Sequence, residues 1–289
     1  MSDQLDLFEE SYLMPKNREK IGQAELTYKT SSGILTKTTG FMDTYDFSLN
    51  PYSGCSFGCT YCYAAFFTRD KLKIENWGKW VEVKENALEL LKKKRKKPLH
   101  DKVIYMSSVT DPYQPAEKHI GLTRALLGEF AAYHKIRLVV QTRSPLVTRD
   151  IDLFQKIGRV QVNMTITTDD EEVRRAFEPT CPANERRLAA IQEVNEAGVQ
   201  TCITMTPLLP VKDPFQFAQD LKATGTERFI IQPFHTSRKG RFVAGTGARA
   251  LEVMEEYNWS EERYMEILEV IKEQIPDIGE GKTGFAPPI

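Results

Sequence analysis

Three of the chain's five cysteines, Cys55, Cys59 and Cys62, fall within eight residues at a CxxxCxxC spacing. Thiolates this close on one loop can share one metal centre, and cysteine thiolates are the ligands of iron-sulfur clusters. Three of them would leave one iron of a 4Fe-4S cubane open to an outside ligand. A structural zinc site normally takes four protein ligands, and no fourth Cys or His is near this loop in the sequence; the next candidate, His100, lies beyond a helix-like segment. A thioredoxin-type reading explains Cys59 and Cys62 but leaves Cys55 without a role. Gly54, Ser56, Gly58 and Thr60 let the backbone bend around a cluster, while Phe57, Tyr61 and Tyr63 can keep water away. A module of a different class, using the cysteines only to hold a structural metal, stands on the same residues.

The pattern Cys55-x3-Cys59-x-Tyr61-Cys62, with an aromatic residue before the last cysteine, resembles the radical S-adenosylmethionine (radical SAM) signature. The longer run Asn50 to Ala64 is similar to the spore photoproduct lyase-like branch of that superfamily. The resemblance implies a 4Fe-4S cluster on the three cysteines, with SAM chelating the open iron through its amino and carboxylate groups. It also implies an electron donor of the flavodoxin or ferredoxin type, reductive cleavage of SAM to a 5'-deoxyadenosyl radical, and hydrogen abstraction from a substrate. The cofactors carry the hard chemistry and the protein aims them.

By the same resemblance Tyr61 stands beside the cofactors, Thr110 and Asp111 are candidates for the SAM amino group, and Thr165 falls near the ribose. Arg143 falls where the family has a basic residue for the SAM carboxylate, which an arginine grips bidentately. Glu178-Pro179 followed by Arg187-Leu188 matches the lyase-like pattern too, as a brace of the site or as a structural ion pair. The photoproduct lyases carry a hydrogen-donating cysteine at the position that aligns with Ser108. A serine O–H bond is too strong for that role, so the thymine photoproduct reaction does not carry over by the same route. Cys181 is a candidate replacement donor, the alternative being a bystander thiol, and His235 is a further catalytic candidate or a hydrogen-bonded structural histidine.

Such a loop needs a scaffold that delivers it to one end of a sheet. Residues 41 to 50 read as extended, and Val103 to Met106, Arg137 to Thr142, Val160 to Thr168, Val199 to Met205 and Arg228 to Gln232 read as strands. Helical patterns separate them, among them Glu85 to Arg95, Thr123 to His134 and a helix that Gly198 ends. Six strands alternating with helices predict parallel βαβ units. The resemblance sharpens this α/β expectation to a partial (β/α)6 TIM-type barrel over residues 36–240, with a flexible N-terminal arm over 1–35. A C-terminal helical extension follows over 241–289, in which Ser260 caps the acidic turn Glu261-Glu262.

At 289 residues, 41% hydrophobic, the chain can bury a sizeable core, and 39 basic against 40 acidic residues announce no global preference for nucleic acid or membrane. No apolar run approaches a membrane span and the N-terminus has no apolar h-region, so the expected setting is cytoplasmic, without membrane association. Local features lean towards nucleic acid: the basic run Lys92 to Lys97, a second basic group at Arg238, Lys239 and Arg241, and the branch resemblance. Gln4, Leu5, Asp6, Leu7 and Phe8 are similar to the peptide by which bacterial polymerases and repair proteins dock on the sliding clamp, the alternative being a short apolar anchor. A protein or a metabolite is the alternative substrate class.

Overall fold

Apolar and polar residues alternate from Val160 through Thr167, and this alternation sets which face meets the helices. The structure, a computed structural model, describes residues 18–234 and 248–287. In chain order its strands are β1 (Lys20–Ile21), β2 (Ala24–Lys29), β3 (Leu35–Lys37), β4 (Phe47–Leu49), β5 (Tyr52–Ser53), β6 (Trp80–Lys84), β7 (His100–Met106), β8 (Lys135–Thr142), β9 (Val160–Thr165), β10 (Gln200–Met205), β11 (Arg228–Ile231) and β12 (Gly279–Glu280). The larger sheet has the order β12-β11-β10-β9-β8-β7-β4-β3. Its pairs are parallel from β4 to β12, and β3 joins β4 antiparallel. The six expected strands therefore lie side by side in chain order, connected by helices such as Leu122–Tyr133, Ile151–Ile157, Asn184–Glu196 and Pro214–Ala223.

One strand parity packs outward against those helices. Ile104, Met106, Leu138, Val140, Val162, Met164, Ile203 and Met205 share one buried core with Leu126, Phe130, Phe154, Ile191 and Leu221. Each such side chain contributes roughly 1.5–3 kcal/mol on burial, which makes this layer the main support of the barrel. The other parity points inward. There Val103, Tyr105 and Val139 form a separate small cluster with Tyr45, and the rest of the lumen is polar.

The structure departs from the sequence reading at both ends. Lys20–Ile21 and Ala24–Lys29 fall in the expected flexible arm, yet β2 pairs in parallel with β6 over Glu25–Lys29 and Trp80–Lys84. The signal for β2 is Ala24 and Leu26 turned inward with Glu25 and Thr27 outward, but its partner lies more than fifty residues away, in a stretch the loop-to-helix reading passes over. Residues 4–8 and 235–247, which include the clamp-like peptide, His235 and the basic group at 238–241, lie outside the described residues. The C-terminal region is not only helical: after Ala248–Glu256 and Glu261–Gln274 it adds β12 alongside β11. Residues 281–286 then cross from that edge to the segment before β4. Arg228 donates to the carbonyls of Gly284 (2.9 Å) and Ala286, Tyr45 donates to the Phe285 carbonyl (2.7 Å), and the rings of Phe285 and Phe41 meet edge to face at 5.5 Å. Lys282 pairs with Asp43 at 2.6 Å. Among the described residues no helix is long and apolar enough to cross a membrane.

Candidate active site

β4 ends at Leu49, and the cysteine loop begins one residue later, at the C-terminal end of the parallel strands. Asn50 anchors the departure: its Oδ1 accepts from the backbone N–H of Ser108 (2.9 Å) and Val109 (3.0 Å) beyond β7, and its Nδ2 donates to the Ser108 hydroxyl (3.3 Å). Thr110 donates its hydroxyl to the Gly54 carbonyl (2.6 Å), and the Gln114 amide oxygen accepts from the Ser56 N–H (2.9 Å). On the opposite side the Thr180 hydroxyl lies 2.7 and 2.8 Å from the carbonyls of Ser56 and Phe57, and the Thr60 N–H donates to the Phe177 carbonyl (2.9 Å). The loop is thus clamped by two segments distant in sequence, one following β7 and the other at the end of the helix Glu171–Phe177.

Gly54 makes a turn here that other residues resist. Its φ is +75°, and a Cβ at this position would stand 2.6 Å from the Trp80 carbonyl oxygen and 2.5 Å from the Trp80 ring. Gly54→Ala is expected to cost about 3 kcal/mol, backbone strain and clash together. Thermal unfolding of the purified variant measures this; an unchanged Tm would show that the loop relaxes freely.

Cys55, Cys59 and Cys62 are free thiols. Cys55 and Cys59 are buried with Phe57 and Cys181, and Tyr61, Cys62 and Trp77 pack against this cluster. Among the described residues no three Cys, His, Asp or Glu side chains converge as one metal ion requires. An iron-sulfur cubane asks for something else, since each cysteine holds a different iron and the thiolates ring the cluster. The donor set therefore fits a 4Fe-4S cluster better than a single zinc ion. A hydrogen bond with Cys181, assisted by the Arg143 charge, holds the Cys59 thiol below its ordinary range despite burial. Burial pushes Cys55 upward and Cys62 to about 12, so ligation at those two positions must displace a proton.

Cys181, the candidate hydrogen donor, brings a fourth cysteine to the loop, with its sulfur 3.6 Å from that of Cys59. The buried Glu178 carboxylate gathers the residues around it. It pairs with Arg187 at 2.6 Å, with both side chains fully buried, and accepts from Thr167 (3.0 Å), Tyr61 and Arg143 (3.5 Å). Burial alone would raise its pKa, but the charges of Arg187 and Arg143 outweigh that and hold the carboxyl at about 2. Arg143 also donates to the Tyr61 hydroxyl at 2.9 Å. Tyr61 in turn packs with Phe177 and Phe234 in an aromatic wall.

The remaining sequence candidates separate into two groups. Asp111 is buried and accepts from the Thr142 hydroxyl (2.7 Å) and the N–H groups of Arg143 (2.8 Å) and Tyr113 (2.8 Å). It ties the ends of β7 and β8 together, the capping role open to an acid in a turn. Thr165 faces the lumen, where its hydroxyl meets Gln141 Nε2 at 2.6 Å and Thr204 at 3.0 Å. Gln141 also accepts from Tyr105 (2.9 Å) and Asn163 (3.2 Å), and Gln161 donates to Asn163 (2.6 Å). Apart from Thr165, this polar ladder was not singled out in the sequence. Its signal is the alternation in Val162-Asn163-Met164-Thr165-Ile166-Thr167, where small and amide side chains occupy the inward positions.

A model of the radical SAM superfamily matches residues 49–223. The chain belongs to the radical SAM superfamily. The match begins at the end of β4 and runs through the helix that precedes β11, so it takes in the cysteine loop and the lumen of this radical SAM domain. An uncharacterized protein of Methanocaldococcus jannaschii is 38% identical over 162 residues, 56% of this chain and 60% of its own length. An uncharacterized protein of Mycobacterium tuberculosis is 29% identical over 57% of this chain and 50% of its own. The chain thus spans about half to 60% of the length of these relatives. Among solved structures, a spore photoproduct lyase variant with bound AdoMet and dinucleoside spore photoproduct superposes with a TM-score of 0.62 over 88% of this chain and 81% of that one, at 14% identity. Another variant of that lyase gives 0.61 at the same identity and coverage. At this identity the likeness is one of fold.

The basic run Lys92–Lys97 is set apart from the site. It precedes β7, at the opposite end of that strand from the cysteine loop. Arg95 is committed to a two-bond pair with the buried Glu129 (2.8 and 2.6 Å) and lies over the Tyr133 ring.

Proposed function

We propose that this radical SAM protein cleaves SAM reductively at a 4Fe-4S cluster on Cys55, Cys59 and Cys62 and abstracts hydrogen from a substrate held in the barrel mouth. The observation that carries this reading is the cysteine loop, clamped at the C-terminal end of parallel strands over a polar lumen. When bound, the cluster and SAM supply an electron and the 5'-deoxyadenosyl radical it releases. The protein's part is positioning. The aromatic wall of Tyr61, Phe177 and Phe234 excludes water beside the cysteines, and Glu178 and Arg143 fix the Tyr61 hydroxyl. Arg143 keeps 19% of its side chain exposed, enough to meet a carboxylate without leaving its partners. Thr165, backed by Gln141 and Thr204, offers hydroxyls to a sugar. The buried Nε2 of Gln232, one residue past β11, has no hydrogen-bond partner among the described residues, a donor left for a ligand.

For the substrate the proposal is a nucleic acid, supported by the branch resemblance and by the fold shared with a lyase whose bound ligand is a dinucleoside photoproduct. The Ser108 hydroxyl accepts from Asn50 and its carbonyl from Tyr63; a serine O–H bond is too strong to give up a hydrogen atom, so hydrogen return has to come from another group. The test is anaerobic reconstitution with iron and sulfide, then dithionite and SAM, with 5'-deoxyadenosine read by chromatography. Its formation is the expected result. An intact cluster that neither binds nor cleaves SAM would refute the enzyme reading. Binding to single- and double-stranded DNA across a salt series tests the substrate class, and affinity that is absent or indifferent to salt counts against it.

A further inference from the structure

We propose that Cys59 and Cys181 are a thiol pair that closes to a disulfide when oxidant strips the cluster, keeping a cluster ligand in a reversible form. The inference rests on the reading of Cys55, Cys59 and Cys62 as cluster ligands. The two sulfurs are 3.6 Å apart across 122 residues of sequence, and among the described residues this is the one sulfur-to-sulfur hydrogen bond. Both side chains are buried, in one cluster with Phe57 and Cys55.

Hydrogen bonds to backbone groups build the contact from both sides. The Cys181 N–H donates to the Glu178 carbonyl (3.1 Å) and the Cys181 carbonyl accepts from Arg174 Nη1 (2.8 Å). The neighbouring Thr180 hydroxyl reaches the carbonyls of Ser56 and Phe57, which lie between Cys55 and Cys59. None of these bonds involves a cluster ligand's sulfur, so loss of the cluster leaves the clamp in place and the two thiols facing each other. A groove of about 840 Å³ lined by Phe57, Thr180, Cys181 and Pro182 gives small solutes a way in on this side of the loop.

The chemistry balances with a peroxide as the oxidant. The Cys59 thiolate attacks one peroxide oxygen, forming a sulfenic acid and releasing hydroxide. The Cys181 sulfur then displaces hydroxide from the sulfenic sulfur. Two thiols give up two protons and two electrons, one hydrogen peroxide becomes two waters, and one S–S bond forms. Without Cys181 the sulfenic acid is open to further peroxide and advances to sulfinic acid, which dithiols do not reverse.

The test uses the full chain with its cluster loaded and its iron measured. Hydrogen peroxide is added, free thiols are alkylated without reduction, and the peptides are mapped by mass. The expected result is a Cys59–Cys181 cross-link as the main disulfide. After dithiothreitol, iron and sulfide should then rebuild the cluster absorbance several-fold better in the parent than in Cys181→Ser, whose Cys59 should carry sulfinic acid. A main link between Cys59 and Cys62 or Cys55 in the parent, or a Cys59 left free or over-oxidised there, overturns the inference whatever the variant does. Iron uptake without the cross-link overturns this inference alone. A protein that takes up no iron overturns the cluster reading and this inference with it.

Discussion

Cys55→Ala is expected to yield a folded protein with little or no cluster and with 5'-deoxyadenosine at background, a loss of at least ~10³-fold, since the cofactor supplies the chemistry outright. Cys55 is the sharper choice than Cys59, because Cys181 stands beside Cys59 and offers a substitute sulfur there. The fold should tolerate the change. Cys55 belongs to a small satellite cluster separate from the helix-on-sheet core, so a cost of about 1 kcal/mol and a Tm shift of roughly 2–4 °C are expected. Iron content, the product assay and thermal unfolding on one preparation decide the matter. A variant that unfolds, or a parent that unfolds on chelation, would instead mark the metal as structural. A variant that retains product formation would remove Cys55 from the ligand set.

Glu178→Gln is expected to have the larger effect on stability. The substitution leaves the fully buried Arg187 guanidinium without its counter-charge, and breaking a buried pair from one side costs about 3–5 kcal/mol, or roughly 10 °C in Tm. It should also remove a pH dependence. The Glu178 carboxyl sits at about 2 in the folded protein, below the ~4.3 of an unfolded chain. Its stabilisation is therefore fully present above about pH 4.3 and is lost as pH falls towards 2, worth on the order of 3 kcal/mol over that window. The gap in Tm between parent and variant should stay level from pH 6 to about pH 4.3 and narrow from there to pH 2.5. A gap that stays constant would show that the carboxylate is not the group that the two arginines stabilise. Because the same carboxylate fixes Tyr61 beside the cysteines, the variant should also show a disturbed cluster spectrum.

How much of this was legible in the chain follows from how local each signal was. The cysteine spacing is a local pattern, and the strand-helix alternation is nearly so, since parallel strands in chain order need only successive units to pack. What escaped was non-local. β2 finds β6 through a pairing that no nearby residue announces, and Cys181 reaches Cys59 only because the loop after Phe177 folds back over the cysteine loop. Asp111 read as a candidate ligand with a turn cap as the alternative, and its bonds to Thr142 and the Tyr113 and Arg143 N–H groups join strand ends that the sequence does not show to be neighbours. The inward ladder of Gln141, Asn163, Thr165 and Thr204 was present in the alternation itself. All of it but Thr165 went unnoticed because polar positions in a strand ordinarily mean an exposed face, and here that face is a lumen.

A fully paired barrel has its circumference set by strand number and stagger, a lattice of backbone bonds that leaves little freedom. This ring has a seam. Between the β12 edge and the segment before β4 it is joined by the Arg228 and Tyr45 hydrogen bonds, the Lys282–Asp43 pair and the Phe285–Phe41 contact. The bore of the lumen is therefore partly a property of side-chain packing. A change in the volume of one residue at position 41, 45 or 285 acts on it directly, with every strand register left intact. In this architecture calibre can drift by point substitution without redesign of the sheet.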